Sequence, residues 1–191
     1  MKTKTMMIAA LGAGIATAWF AGQWINGDVQ IQANAQWREV MKSPDGLISG
    51  ADLIVLAEMR EAVPKTVTYG EADETIPYTQ NFMAVSSVIK GEFEGDTLLV
   101  EQTGGILTEG VRFDINDGGP YEEGKLYLLF LRDQGNGSYY VINHQARYEL
   151  DQEKDVLIGV DPSDPVVAAF HGEGIDKALY RIEERAASLE K

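Results

Sequence analysis

Beyond residue 50 the chain alternates short apolar runs with polar breaks that carry glycine or proline, the rhythm of strands and turns. "SPDGLISG" predicts a short helix or turn, with Ser43 and Asp45 as cap or turn residues. "ADLIVLAEM" follows as a strand from about Leu53 to Glu61, rich in residues that favour strands. Residues Val63 to Pro77 are polar and contain Pro64, Gly70, Pro77 and the acidic "GEADET", which reads as a surface loop at the tip of a hairpin. "YTQNFMAVSSVIKGE" predicts a second strand over Tyr78 to Ile89. Strict alternation puts Met83, Val85 and Ile89 on one face and Phe82, Ala84 and Val88 on the other, and Lys90-Gly91 ends the strand.

"DTLLVEQ" is a third strand, ended by Gly104-Gly105. The loop "GGILTEGVRFDINDGGPYEEG" holds room for a short strand at Val111 to Phe113. "KLYLLFLRD" and "SYYVIN" flank a turn at Gly135-Asn136-Gly137, and "KLYLLFL" is apolar on both faces, so it belongs in the centre of a sheet. "ARYELDQEKDVLIGV" adds a last pair of short strands. From about Gly174 the pattern turns helical. Ile175, Leu179, Ile182 and Leu189 form one stripe, Lys177, Arg181, Glu183, Glu184 and Arg185 take the other faces, and the helix is expected to pack across the sheet. Roughly five to seven mostly sequential strands joined by hairpins predict a mainly β fold, an antiparallel barrel or sandwich, rather than a doubly wound α/β sheet.

The N-terminus reads as targeting. Lys2 and Lys4 form a positive start, and no charge occurs from Thr5 to Gly27. Residues 1–35 are therefore a signal peptide or an N-terminal membrane anchor, with cleavage-like Ala33-Asn34-Ala35 before Gln36 and a second candidate at Ala16-Thr17-Ala18. Either outcome places the body outside the cytoplasmic membrane, secreted or anchored. The domain expectation is a barrel over 36–171 and a packed helix over 172–191. Gly12-Ala13-Gly14 lies inside the apolar run with no strand before it, so it is no nucleotide-binding fingerprint.

Charge narrows the partners. A net charge of −14 over 191 residues repels phosphate backbones, which excludes nucleic acid, and confines membrane contact to the N-terminal segment. It favours cations or basic proteins. Cysteine is absent, which removes disulfides, thiol nucleophiles, cysteine-ligated metals and a lipid-attachment cysteine.

Ala51-Asp52, the run Leu53 to Leu56, then Val85, Val88, Lys90 and Gly91 together resemble the netrin-like domain, the fold of the tissue inhibitors of metalloproteinases. The resemblance covers about residues 50 to 145 and extends to bacterial exported proteins of unassigned function that share "VIKGE", "GG" and "YEEGKLYLLFL". It implies an OB-like five-stranded barrel. The eukaryotic inhibitors act through an N-terminal cysteine and disulfides, which this chain lacks, so the resemblance carries fold and no inhibitory residue. The Lys90-Gly91 pair has its own reading as a turn, with glycine taking positive φ and a charge blunting the barrel rim.

Candidate chemistry is sparse. His144 and His171 lack HExxH spacing and read as surface or capping residues. Ser86, Ser87 and Ser138 lack a nucleophile elbow. In "FDINDGGPYEE", Asp114, Asn116 and Asp117 supply hard oxygens near Glu122 and Glu123, weak calcium candidates. The twelfth position counted from Asp114 is Lys125, so the loop is no EF-hand, and an Asx-rich turn is the competing reading. Tyr121, Tyr139, Tyr140 and Tyr148 could line a sugar cleft but read as barrel surface or core. The expectation is a non-enzymatic binding or interaction module at the cell envelope, its partner an unknown envelope protein or small ligand. It would act through rim loops at 64–77 and 104–123. The alternatives are a secreted hydrolase whose histidines and carboxylates meet only in the fold, and a calcium-stabilised structural domain.

Overall fold

Leu53, Val55, Ala57 and Met59 are buried in one hydrophobic cluster, while Ile54 between them is buried in another. This first half of β3 (Leu53–Tyr69) is thus covered on both sides. The computed structural model describes the backbone at residues 15–25, 28–37, 40–69, 74–108, 111–115 and 118–189, and side chains at 40–67, 76–105 and 118–189.

β3 forms a long antiparallel hairpin with β4 (Glu74–Lys90), which continues into β5 (Thr97–Thr103). After β6 (Gly105–Thr108) and β7 (Val111–Ile115) come β8 (Leu126–Asp133) and β9 (Tyr139–Val141). A 3-10 turn (His144–Ala146) leads to β10 (Arg147–Asp151) and β11 (Val156–Gly159). The seven-stranded sheet runs β11-β10-β8-β3-β4-β5-β9. β9 also pairs with β8, and it meets β5 in parallel at Val100–Tyr139, so five strands partly close into a ring. The structure is mainly β, as the strand rhythm predicted.

β8 is the pivot. Tyr127, Leu129 and Leu131 join the cluster that fills the ring, and Leu128 and Phe130 face the helices. This is the central strand the sequence indicated. The outer cluster is covered by α1 (Pro44–Gly50), α2 (Pro165–Ala168) and α3 (Ile175–Leu189). Phe130, Tyr148 and Phe170 form an aromatic triangle within it, with centroids 5.8 to 6.1 Å apart. α3 packs on the sheet as expected, but by a different stripe. Ala178, Ile182 and Ala186 are its buried residues, Ile175 and Leu179 flank them, and Leu189 is exposed. Small residues let the helix axis approach closely, so the seam runs through the alanines.

Three further expectations are corrected. The stretch 64–77 is largely paired strand and not a loop: Pro64 lies opposite Thr79, and Pro77 opposite Thr66. Pro64 sits where β3 has left β8, whose register ends at Glu58, and Pro77 closes the β4–β5 pairing just past Tyr78, its carbonyl accepting the Gly104 N–H at 2.9 Å while no ladder bond asks for its own N–H. A missing N–H costs little on such an edge. Ile89 does not share a face with Met83 and Val85. Val55 pairs with Val88 and Ile54 with Lys90, leaving Ile89 as an extra residue, and a second bulge falls at Ser86. The bulges turn Ile89 toward the helices and leave Val88 exposed. In the stretch 104–123 the short strand expected at Val111 to Phe113 is present as β7, and a second strand, β6, precedes it where only loop was expected.

β1 (Ile15–Ile25) and β2 (Asp28–Trp37) pair as a hairpin, and β2 lies parallel to β7 in a second sheet of order β1-β2-β7-β6. They overlap the segment read as leader or anchor. No helix among the described residues is long and apolar enough to cross a membrane.

Candidate functional site

Ala51-Asp52 and Lys90-Gly91 meet in one joint. Ser43 caps α1, its Oγ accepting from Gly46 N at 3.1 Å, and the helix ends against Lys90. The Lys90 ammonium donates to the carbonyls of Ile48 (3.0 Å), Ser49 (3.3 Å) and Ala51 (2.6 Å). A cation at a helix C-terminus satisfies carbonyls that have no partner within the helix. Gly91 has φ +82°, and a Cβ there would stand 2.4 Å from the Asp52 carbonyl oxygen. Asp52 in turn donates its N–H to Leu131 O and accepts Asp133 N–H at Oδ2 (3.0 Å). Ala51-Asp52 and Lys90-Gly91 therefore bolt α1 to β3, β4 and β8. The glycine behaves as the sequence indicated. The lysine is a helix cap, not a rim charge.

The histidines serve two different joints. His171 Nδ1 accepts the Gly159 N–H at 3.1 Å, which helps seal the edge of β11. His144 Nε2 stands 3.6 Å from Asp164 Oδ2. Asp164 is fully engaged: it caps α2 through the N–H groups of Val166 and Val167 and accepts Gln145 Nε2 at 2.9 Å. Gln145 brackets the backbone of Met41, accepting its N–H and donating to its carbonyl. This cluster ties the incoming chain to the body. Burial is the largest influence on the Asp164 carboxyl and opposes its charge. The bonds from Val166, Gln145 and Val167, with the field of His144, outweigh it and hold the carboxyl below its ordinary value. Such a carboxylate stabilises the fold fully above its unfolded value of about 3.9, and the contribution drains as pH falls through the lower folded value. Asp164→Asn keeps a good capping side chain and removes the titration. Melting temperatures followed from pH 6 down to pH 2 are expected to fall less steeply in the variant; identical acid limbs would contradict the assignment.

Of the calcium candidates, Asp114 sits on β7 opposite Gln32, its side chain outside the described set, and Asn116 and Asp117 lie outside the described residues. Among the described residues no group of three His, Cys, Asp or Glu side chains is placed to hold a metal. Against Gly119 and Pro120 lies a side chain with little signal in the sequence. Arg147 is 7 % exposed, and its guanidinium lies 3.9 Å from the Tyr121 ring centroid and 4.9 Å from that of Tyr127. It donates to the carbonyls of Gly119 (2.6 Å) and Pro120 (3.1 Å), and Gln102 Nε2 shares Gly119 O at 2.9 Å. On this side of the acidic loop the backbone oxygens are held by an internal cation. Its only signal in the sequence is an arginine opening the apolar strand "RYEL".

An open groove of about 740 Å³ lies between α1, the end of α2 and α3. Ile48 and Phe170, each 2 % exposed, form its floor, and Pro44, Ala169 and Ala187 add the accessible apolar lining. Arg185 grips Asp45 with both ends of its guanidinium across the groove, and this bond above all holds the Asp45 carboxyl below its usual value. Arg181 lies 4.8 Å over the Phe170 ring and pairs with Glu173. Elsewhere on the sheet, half-exposed Phe82 and Leu99 are opposite one another on β4 and β5, next to the Gln80–Glu101 hydrogen bond. Ser86 and Ser87 are exposed, and buried Ser138 is bonded within the β8–β9 turn. No known protein family and no curated protein matches the chain.

Proposed function

We propose that this protein is an extracytoplasmic, non-enzymatic binding module, secreted or held at the cell membrane by residues 1–35, that grips a segment of an envelope protein in the groove between α1 and α3. The groove carries the reading. It joins an apolar lining to the Asp45–Arg185 ion pair and the exposed Glu184, the mixture that peptide segments need for both affinity and orientation. With a net charge of −14, the module favours a segment bearing a basic side chain beside an apolar one. The fold that supports the groove is proposed to be an OB-like, netrin-like barrel. The cyclic order β8-β3-β4-β5-β9, with β9 parallel to β5 and the rest antiparallel, supports that reading.

A photo-reactive residue at Ser188 in the groove is expected to capture one protein in the native envelope. The same probe at Glu153, in the turn after β10, captures none of it, and Asp45→Lys, which sets a cation where the basic side chain would lie, abolishes the capture at Ser188. Equal labelling at both positions would sink the proposal. A second reading has its own observation. Phe82 and Leu99 lie opposite one another on β4 and β5, which in the OB-like reading would be the second and third strands, the ones through which such barrels take ligands. Capture from Gln80 alone would move the site there.

A further inference from the structure

We infer that Asn136 is a self-modifying site, at which the folded chain promotes conversion of its own asparagine to aspartate and isoaspartate. Asn136 and Gly137 are exposed at the turn between β8 and β9. Gly137 has φ +86°, and nothing lies within 4 Å of the place a Cβ would take, so no neighbouring atom crowds the residue that supplies the nucleophile. The side-chain carbonyl of Asn136 is the electrophile in this chemistry, and two donors already converge on it. Ser138 N–H lies 2.9 Å from Oδ1 and Ser138 Oγ lies 2.7 Å from it.

The hydroxyl is directed by a chain of bonds. Glu101 Oε2 holds the Gln134 amide at 3.0 Å, and that same Nε2 also donates to Ser138 Oγ at 3.1 Å. A hydroxyl that accepts from Gln134 turns its own proton to Asn136 Oδ1. The arrangement is a small oxyanion site, with donors placed where negative charge develops during addition.

The chemistry balances with water alone. The Gly137 nitrogen loses its proton to solvent and adds to Cγ, forming a C–N bond while the charge on Oδ1 is held by Ser138. Collapse breaks the Cγ–Nδ2 bond, and the leaving nitrogen takes a proton from water and departs as ammonia. Water then opens the resulting succinimide at either carbonyl. One product is aspartate. The other is isoaspartate, which inserts a methylene into the main chain of the hairpin that closes the ring.

Trypsin cuts after Arg132 and Arg147 and releases one peptide that contains both Asn136 and Asn143. Asn143 is 1 % exposed and bonded on both sides to Gln145, so it is an internal reference. The folded protein is incubated at neutral pH and physiological temperature beside a synthetic peptide of residues 133–147, and each asparagine is followed by fragmentation mass spectrometry. Asn136 is expected to convert in the folded protein at least as fast as in the peptide, while Asn143 stays an amide. Ser138→Ala slows Asn136 by about fivefold to tenfold, the worth of one hydrogen bond, and Gln134→Leu slows it by a smaller factor. Two results overturn the inference: Asn136 persisting in the folded chain while the peptide is half converted, or an unchanged rate in both variants.

Discussion

Gly91→Ala is expected to lower the melting temperature by about 10 °C, on the scale of 2–4 °C per kcal/mol for a domain of this size. Two costs combine. A non-glycine residue at φ +82° carries backbone strain of about 1–3 kcal/mol. The added Cβ would also stand 2.4 Å from the Asp52 carbonyl oxygen, a backbone atom that cannot move aside, because Asp52 N–H is bonded to Leu131 O. Overpacking against a fixed neighbour adds about 1–3 kcal/mol more. Gly135→Ala supplies the control. Its φ is +74°, yet nothing lies within 4 Å of its would-be Cβ, so only the strain applies, about 1 kcal/mol. The difference between the two variants measures the close approach at Asp52. Thermal unfolding of both, followed by circular dichroism, decides the matter: equal losses would remove the joint from the account.

Arg147→Met is expected to cost about 3 kcal/mol and to open the segment 118–124 to proteolysis. Methionine replaces the aliphatic stem but leaves the Pro120 carbonyl without the guanidinium, and Gly119 O with Gln102 alone. The stacking over Tyr121 and Tyr127 goes as well, and a cation held between rings away from water contributes about 2 kcal/mol. Arg147→Lys keeps the charge but lacks a planar fork that reaches two carbonyls while lying on a ring. It should rescue less than half of the loss. Full rescue by lysine would show that charge alone matters, and an unchanged protease pattern in Arg147→Met would show that the loop is held by something else.

The sequence announced the strands more reliably than their pairing. β8 was legible as a central strand because its apolar run leaves neither face for water, and the β8–β9 turn was legible from its glycines. The length of the β3–β4 hairpin was not legible. Pro64 and Pro77 argue for a loop in any local reading, and only the ends of the neighbouring strands make them harmless. Ile89 departs from simple alternation for a similar reason. Alternation counts residues, and a bulge changes the count without any signature in composition. The largest side chains of α3 suggest one stripe, whereas the helix docks by Ala178 and Ala186 around Ile182.

The candidate sites divide along the same line. Ser43 as a cap and Gly91 as a turn residue are decisions of a few adjacent residues, so the chain alone determined them, as it determined the mainly β class and the acidic surface. Lys90 reaching α1, Asp164 holding Gln145, Arg147 under the loop at 118–121 and the groove between α1 and α3 join residues distant in the chain. Hydrophobic patterning specifies which residues leave water. Which of them then meet depends on loop closure and register across the whole sheet, and only the tertiary structure decided that.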